Sequence, residues 1–93
     1  MSDARDRVAV MLDTLTDELR TNDERHPSAR QVAQWFTCGH RSGEPRQVAQ
    51  LFQGLMLELV DRLPDGPELT AGLRKLLEAK DCAVRAAVAK GRN

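Results

Sequence analysis

The chain has 93 residues, with 14 acidic and 14 basic side chains, and contains no tyrosine. This length predicts one domain that buries only part of its apolar surface as a monomer, so we expect association with another copy. The balanced charge argues against a protein that wraps duplex DNA, because such domains are usually strongly basic. The chain opens on acidic residues without an apolar signal segment, and no apolar run reaches the ~20 residues of a membrane span, which favours a cytoplasmic protein with no membrane partner.

A first amphipathic helix is predicted over about Ala4–Thr21. Its apolar residues follow helical spacing and form one stripe that must be buried against something: Val8, Met11, Leu12, Leu15 and Leu19. A polar segment follows, after which Ser28 and Gln31 form a capping-box pattern. This pattern predicts a short second helix through about Phe36.

Two long helices are predicted in the C-terminal part of the chain. The segment Thr37–Glu44 has two glycines and no apolar periodicity, which is typical of a loop, and Pro45 suits the first turn of a helix that ends near Arg62. The apolar residues of this helix cover more than one of its faces, so we expect the helix to pack against more than one neighbour. These residues are Val48, Leu51, Phe52, Leu55, Met56, Leu57, Leu59, Val60 and Leu63. A proline-flanked turn at residues 64–67 starts the last helix, Pro67–Lys90, which folds back as an antiparallel αα-hairpin.

The last helix has a core stripe and an alanine-rich second half that lets another helix approach closely. The stripe is expected to comprise Leu69, Leu73, Leu76, Leu77, Val84 and Val88. Together these elements predict an all-α fold, in which an N-terminal helix and a short helix precede a long antiparallel hairpin in an oligomeric helical bundle. The similar segments 30–36 and 46–52 are explained equally well by duplication and by convergent helix composition.

No catalytic site, metal site or cofactor is predicted. Cys38 and His40 lie two residues apart, with Cys82 and His26 elsewhere, and this spacing fits no standard zinc pattern. A Cys–His nucleophile needs a third residue to orient its base, and the sequence nominates none. The two cysteines are expected to be reduced packing residues.

A helix-turn-helix regulator is one alternative interpretation. In it, residues 28–36 and 44–55 take the places of the scanning and recognition helices, and the side chains that could face base edges are Arg46, Gln47, Gln50 and Gln53. The eight-residue loop between the helices exceeds the usual three or four residues, and the neutral charge also makes duplex DNA a poor partner. A helical interaction protein without a small ligand is a second alternative.

From Trp35 onward, the order of features resembles a known family. Trp35 and Phe36 precede a short polar loop with His40, an amphipathic helix follows, and after the break 63–68 comes the segment Ala71-Gly72-Leu73-Arg74-Lys75-Leu76-Leu77-Glu78-Ala79-Lys80. This order is similar to the helical-hairpin domain of phage anti-CBASS and anti-Thoeris proteins. The resemblance covers about residues 35–89, and it divides the chain into an N-terminal helical extension, 1–34, and a helical-hairpin domain, 35–93.

The resemblance implies a sponge that sequesters a cyclic-nucleotide or cyclic ADP-ribose-type immune signal without catalysis, in the cytoplasm of a bacterial host. It also implies a homo-oligomer, a dimer or a larger even-numbered assembly such as a hexamer. An aromatic side chain would stack on the ligand and basic side chains would meet its phosphates, and the matching residues are Phe36, His40, Arg41, Arg74 and Lys80. Arg74 and Lys80 are expected to be exposed. The chain departs from the family pattern at Cys38 and Val84.

Overall fold

A computed structural model describes residues 3–37 and 43–91, and within these ranges every regular element is helical. The elements are α1 (Asp3–Arg20), α2 (Pro27–Ala33), a 3₁₀ turn (Gln34–Phe36), α3 (Gly43–Arg62) and α4 (Pro67–Gly91). The all-α prediction is therefore confirmed for the described part of the chain.

Two helix starts differ from the predicted ones. The Nδ1 atom of His26 accepts a hydrogen bond from the Ser28 N–H at 3.1 Å, so His26 is the N-cap of α2, and the predicted capping box of Ser28 and Gln31 is wrong. Helix α3 begins at Gly43, two residues earlier than predicted. Gly43 has a φ of 65°, in the left-handed region that glycine adopts without steric cost.

The main core joins α2, the 3₁₀ turn, α3 and α4. Its buried members are Ala29, Val32, Ala33, Phe36, Met56, Val60, Leu69 and Leu73. A smaller cluster, formed by Val48, Ala49 and Val84, continues the contact between α3 and α4. The predicted domain boundary between residues 34 and 35 runs through the main core, so α2 packs as part of the same body as the two long helices.

Helix α1 attaches to this body through a narrow face. Its buried residues are Ala9, Leu12 and Thr16, while Leu19 is half-buried against the main core. The contact with α3 includes a polar network: Nε2 of Gln53 donates to Oγ1 of Thr16 and to Oδ1 of Asp13, both at 3.0 Å. The Thr16 hydroxyl in turn donates to the Leu12 carbonyl oxygen at 2.8 Å. A small apolar area and a satisfied polar cluster therefore hold α1 in place.

The turns before α2 and before α4 are tied together by Asp65. One carboxylate oxygen lies 2.9 Å from Nη2 of Arg25, and the other accepts the His26 N–H at 3.0 Å. The Arg25 side chain also donates to the Leu63 carbonyl oxygen at 3.3 Å. This contact fixes where α2 and α4 begin relative to each other.

The predicted apolar stripes are only partly buried within the chain. On α1, Val8, Met11 and Leu15 are exposed, and on α3 the same holds for Leu51 and Leu55. The buried residues of α3 are Ala49, Gln53, Met56 and Val60. On α4, Val88 is exposed, whereas Leu69, Leu73 and Val84 are buried as expected. Helices α1 and α3 thus have an apolar side that no other part of the described chain covers.

Candidate functional site

Phe36 and Lys80, two of the predicted ligand residues, lie together in the interior. Phe36 is 0% exposed and Lys80 is 2% exposed, so the expectation of an exposed Lys80 is wrong. The Lys80 ammonium nitrogen lies 5.8 Å from the centre of the Phe36 ring and donates to the Trp35 carbonyl oxygen at 2.6 Å. Helix α4 positions the lysine, and the 3₁₀ turn positions the ring. Ligand contact at this pair requires both side chains to leave their present partners.

Of the three predicted ligand residues that the structure describes, Arg74 faces solvent, and it lies in a separate place. It lines a cleft of about 420 Å³ at the start of α4, next to His26, Ser28, Gly66, Pro67, Thr70 and Ala71. Two further predicted residues, His40 and Arg41, lie outside the described residues, as does Cys38. The structure therefore brings Phe36 and Lys80 together, but it does not place Arg74 beside them, because six residues of helix span about 9 Å.

The side chains assigned to DNA bases in the helix-turn-helix interpretation do not form an exposed row. Gln53 is fully buried and its amide binds α1, so Gln53 is unavailable for a base edge. Arg46, Gln47 and Gln50 are half-buried. In addition, α2 is seven residues long and runs directly into the 3₁₀ turn. Burial of Gln53 thus removes one of the four proposed contacts.

Among the described residues, no group of three or more His, Cys, Asp or Glu side chains could hold a metal ion. Cys82 is exposed and free, and its sulfur accepts a hydrogen bond from Arg85 at 3.4 Å. In the ranges 3–37 and 43–91, no helix has the length and apolar character needed to cross a bilayer.

A groove lies between α1 and α3. The groove has a volume of about 650 Å³. Met11 and Leu15 of α1 line one wall, and Gly54 and Leu57 of α3 line the other. Glu18, Glu58 and Asp61 also line it. Leu51 and Leu55 lie on one helical stripe with Glu58, so they extend the apolar wall onto the outer side of α3. We call this set, Met11, Leu15, Leu51, Gly54, Leu55 and Leu57, the α1–α3 surface.

Exposure within the α1–α3 surface is large for apolar side chains. Met11 is 53% exposed and Leu51 is 72% exposed, and Leu15 and Leu55 are each more than two-fifths exposed. The sequence indicated this surface through the two-sided apolar pattern of α3, although the side that remains open could be identified only from the packed structure. Single exposed leucines are ordinary in proteins, whereas several exposed apolar side chains beside one groove make it a candidate interaction site.

Comparison with family models, with curated proteins and with solved structures finds no match for this chain.

Proposed function

We propose that the chain is a non-enzymatic helical interaction protein whose copies assemble through the α1–α3 surface. The observation that carries this proposal is the exposed apolar wall on both sides of the groove. Covering such a wall removes apolar area from water, which stabilises an assembly by roughly 25 cal/mol per Å² before the costs of association. In the assembly, α3 and α4 act as an antiparallel hairpin within a larger helical bundle.

The apolar pattern of α3 supports the same proposal. One side of the helix packs on α4 and on the main core through Ala49, Met56 and Val60. Leu51 and Leu55 are on another side of the helix and are exposed. A helix with two apolar sides needs two neighbours, and the described chain supplies packing for only one of these sides. A second helix in the groove would complete the burial.

Sedimentation equilibrium of the chain and of a Leu15→Glu variant tests the proposal. We expect the parent to associate at micromolar concentration and the variant to be monomeric, because a carboxylate in the apolar contact would be desolvated without a partner. Val88→Glu is the matched control, since Val88 is similarly exposed but lies on α4 outside the surface. A monomeric parent, or a variant that assembles like the parent, contradicts the proposal.

A cytoplasmic sponge for an anionic cyclic-nucleotide signal is the second candidate, and the cleft around Arg74 favours it. An exposed guanidinium beside the first turn of a 25-residue helix offers positive charge to a phosphate. A thermal-shift screen with cyclic di- and trinucleotides and cyclic ADP-ribose isomers tests it, because a ligand that binds the folded state raises the melting temperature. Arg74→Ala should abolish any such shift, while Lys75→Ala, one residue away, should retain it. A parent whose melting temperature responds to none of these ligands contradicts the sponge.

A further inference from the structure

Helix α1 carries a straight row of four exposed side chains beside the α1–α3 surface. They are Arg7, Met11, Thr14 and Glu18, at spacings of i, i+4, i+7 and i+11, so they lie along one line of the helix. The Thr14 hydroxyl donates to the Val10 carbonyl oxygen at 2.8 Å, which satisfies the hydroxyl within the helix. The Thr14 methyl group can therefore meet another apolar group without leaving an unpaired donor.

Opposite charges terminate this row. Within residues 7–37 and 43–90, neither Arg7 nor Glu18 forms an ion pair, although other charged side chains of the chain do, such as Arg20 with Asp17. The two are 11 residues apart, about 16 Å along the helix at 1.5 Å per residue. Arg7 and Glu18 are equidistant from a point between residues 12 and 13, and so are Met11 and Thr14.

A row with this symmetry is complementary to the same row on a second copy of α1 that runs in the opposite direction. In an antiparallel pair of α1 helices centred on that point, each Arg7 meets a Glu18, and each Met11 meets a Thr14. A parallel pair would set Arg7 against Arg7 and Glu18 against Glu18, which is repulsive. A twofold contact between identical chains uses the same patch on both partners, as this row requires.

We propose that two copies dimerise through α1, antiparallel about a twofold axis, with Arg7 of each protomer paired to Glu18 of the partner subunit. This inference rests on the proposed assembly function and names its partner and geometry. Leu15, which lines the groove, and Val8 flank the row on one side, so the second α1 covers these two exposed apolar side chains as it docks. The charges at the two ends of the row select the antiparallel orientation.

Charge exchange tests this geometry. Arg7→Glu and Glu18→Arg, made separately, each place like charges at both ends of the dimer, and each should weaken association about tenfold, which corresponds to ~1.4 kcal/mol. The two single variants mixed in equal amounts should associate as tightly as the parent, because every charged contact between them is attractive. The double variant in one chain should recover the parent's affinity as well. Sedimentation equilibrium at low ionic strength measures all of these, and circular dichroism checks that each variant is folded.

Lys75→Glu, an exposed charge reversal on α4, is the control and should associate as the parent does. If the parent and Lys75→Glu dimerise but both single variants are also unaffected, the antiparallel α1 contact is wrong, while the proposed assembly stands as long as Leu15→Glu still disrupts it. Single variants that are weakened but fail to recover on mixing also overturn the geometry. A parent that is monomeric throughout overturns the inference together with the proposed function.

Discussion

The Lys80 ammonium donates a hydrogen bond to the backbone carbonyl oxygen of Trp35 at 2.6 Å. This contact joins α4 to the 3₁₀ turn. Two neighbouring aromatic residues of that turn face in different directions. The Phe36 ring points into the core, whereas Trp35 is 64% exposed. A buried lysine thus helps to fix the turn that decides which aromatic side chain is inside.

Replacing Lys80 by Met should destabilise the protein by about 1–3 kcal/mol. Methionine retains most of the apolar volume but removes the donor to Trp35, leaving a partly buried carbonyl group without that charged partner. Lys75→Met is the control on the exposed side of the same helix and should change stability by less than about 0.5 kcal/mol. Urea unfolding measures both. A Lys80→Met variant as stable as the parent would mean that desolvation of the ammonium offsets its hydrogen bond.

Phe36→Ala and Trp35→Ala form a pair of neighbouring truncations with opposite expectations. Removing the buried Phe36 ring should cost roughly 3–5 kcal/mol of unfolding free energy through lost burial and a residual cavity. Removing the exposed Trp35 indole should cost no more than about 1 kcal/mol. Thermal unfolding compares the two. If Phe36→Ala retains the parent's stability, then Phe36 is not a core residue and its predicted role in stacking on a ligand gains support.

Asp65→Ala should lower the free energy of unfolding by about 1–3 kcal/mol. The carboxylate binds both the Arg25 guanidinium and the His26 N–H, and its side chain is 27% exposed, so water replaces these bonds incompletely. Asp23→Ala provides the comparison, because that carboxylate is 99% exposed and lies 3.8 Å from Arg30. We expect no measurable change there. Equal effects of the two substitutions in urea unfolding would argue against the tie between the turns.

Two substitutions at Gly54, to alanine and to leucine, distinguish effects on the stability of the monomer from effects on assembly. A Cβ atom at Gly54 would meet no atom within 4 Å, so alanine should stabilise α3 by roughly 0.5–1 kcal/mol. Gly54 also lines the groove, so bulkier side chains there should obstruct a docked helix. We therefore expect Gly54→Leu to remain folded and to dissociate the assembly. Gly72→Leu is the control, since Gly72 is an exposed glycine of α4 with equally open space around it.

The helices were predictable from the sequence, but the buried side of each helix was only partly predictable. Lys80 occupies a position on the α4 stripe that begins at Leu69 and Leu73, so its spacing indicates burial while its charge indicates exposure. Gln53 shares a stripe with Met56 and Val60 in the same way. Where a helix such as α3 is apolar on more than one side, its spacing cannot decide which leucines face the core. That choice depends on the packing of α1 and α4.

The ligand residues show the same limit. The sequence analysis predicted that Phe36, Lys80 and Arg74 share one pocket, and the structure does bring Phe36 and Lys80 within reach of each other. Their contact is internal because Lys80 turns toward the Trp35 carbonyl oxygen, a backbone partner that no sequence pattern specifies. Arg74 is exposed as expected, in a cleft lined mainly by the first two turns of α4 and completed by His26, Ser28 and Gly66.

The narrow attachment of α1 has a consequence for its motion. Because α1 buries little more than Ala9, Leu12 and Thr16 within residues 7–20, its backbone amides should exchange with deuterium through local opening, at a lower free energy than those of α4. Dimer formation through α1 would close this opening, so its exchange should slow as protein concentration rises, while exchange in α4 should change less. Mass spectrometry of deuterium uptake at two concentrations would record the difference. Uptake in α1 that is independent of concentration, in a protein that does assemble, would place the contact between copies elsewhere.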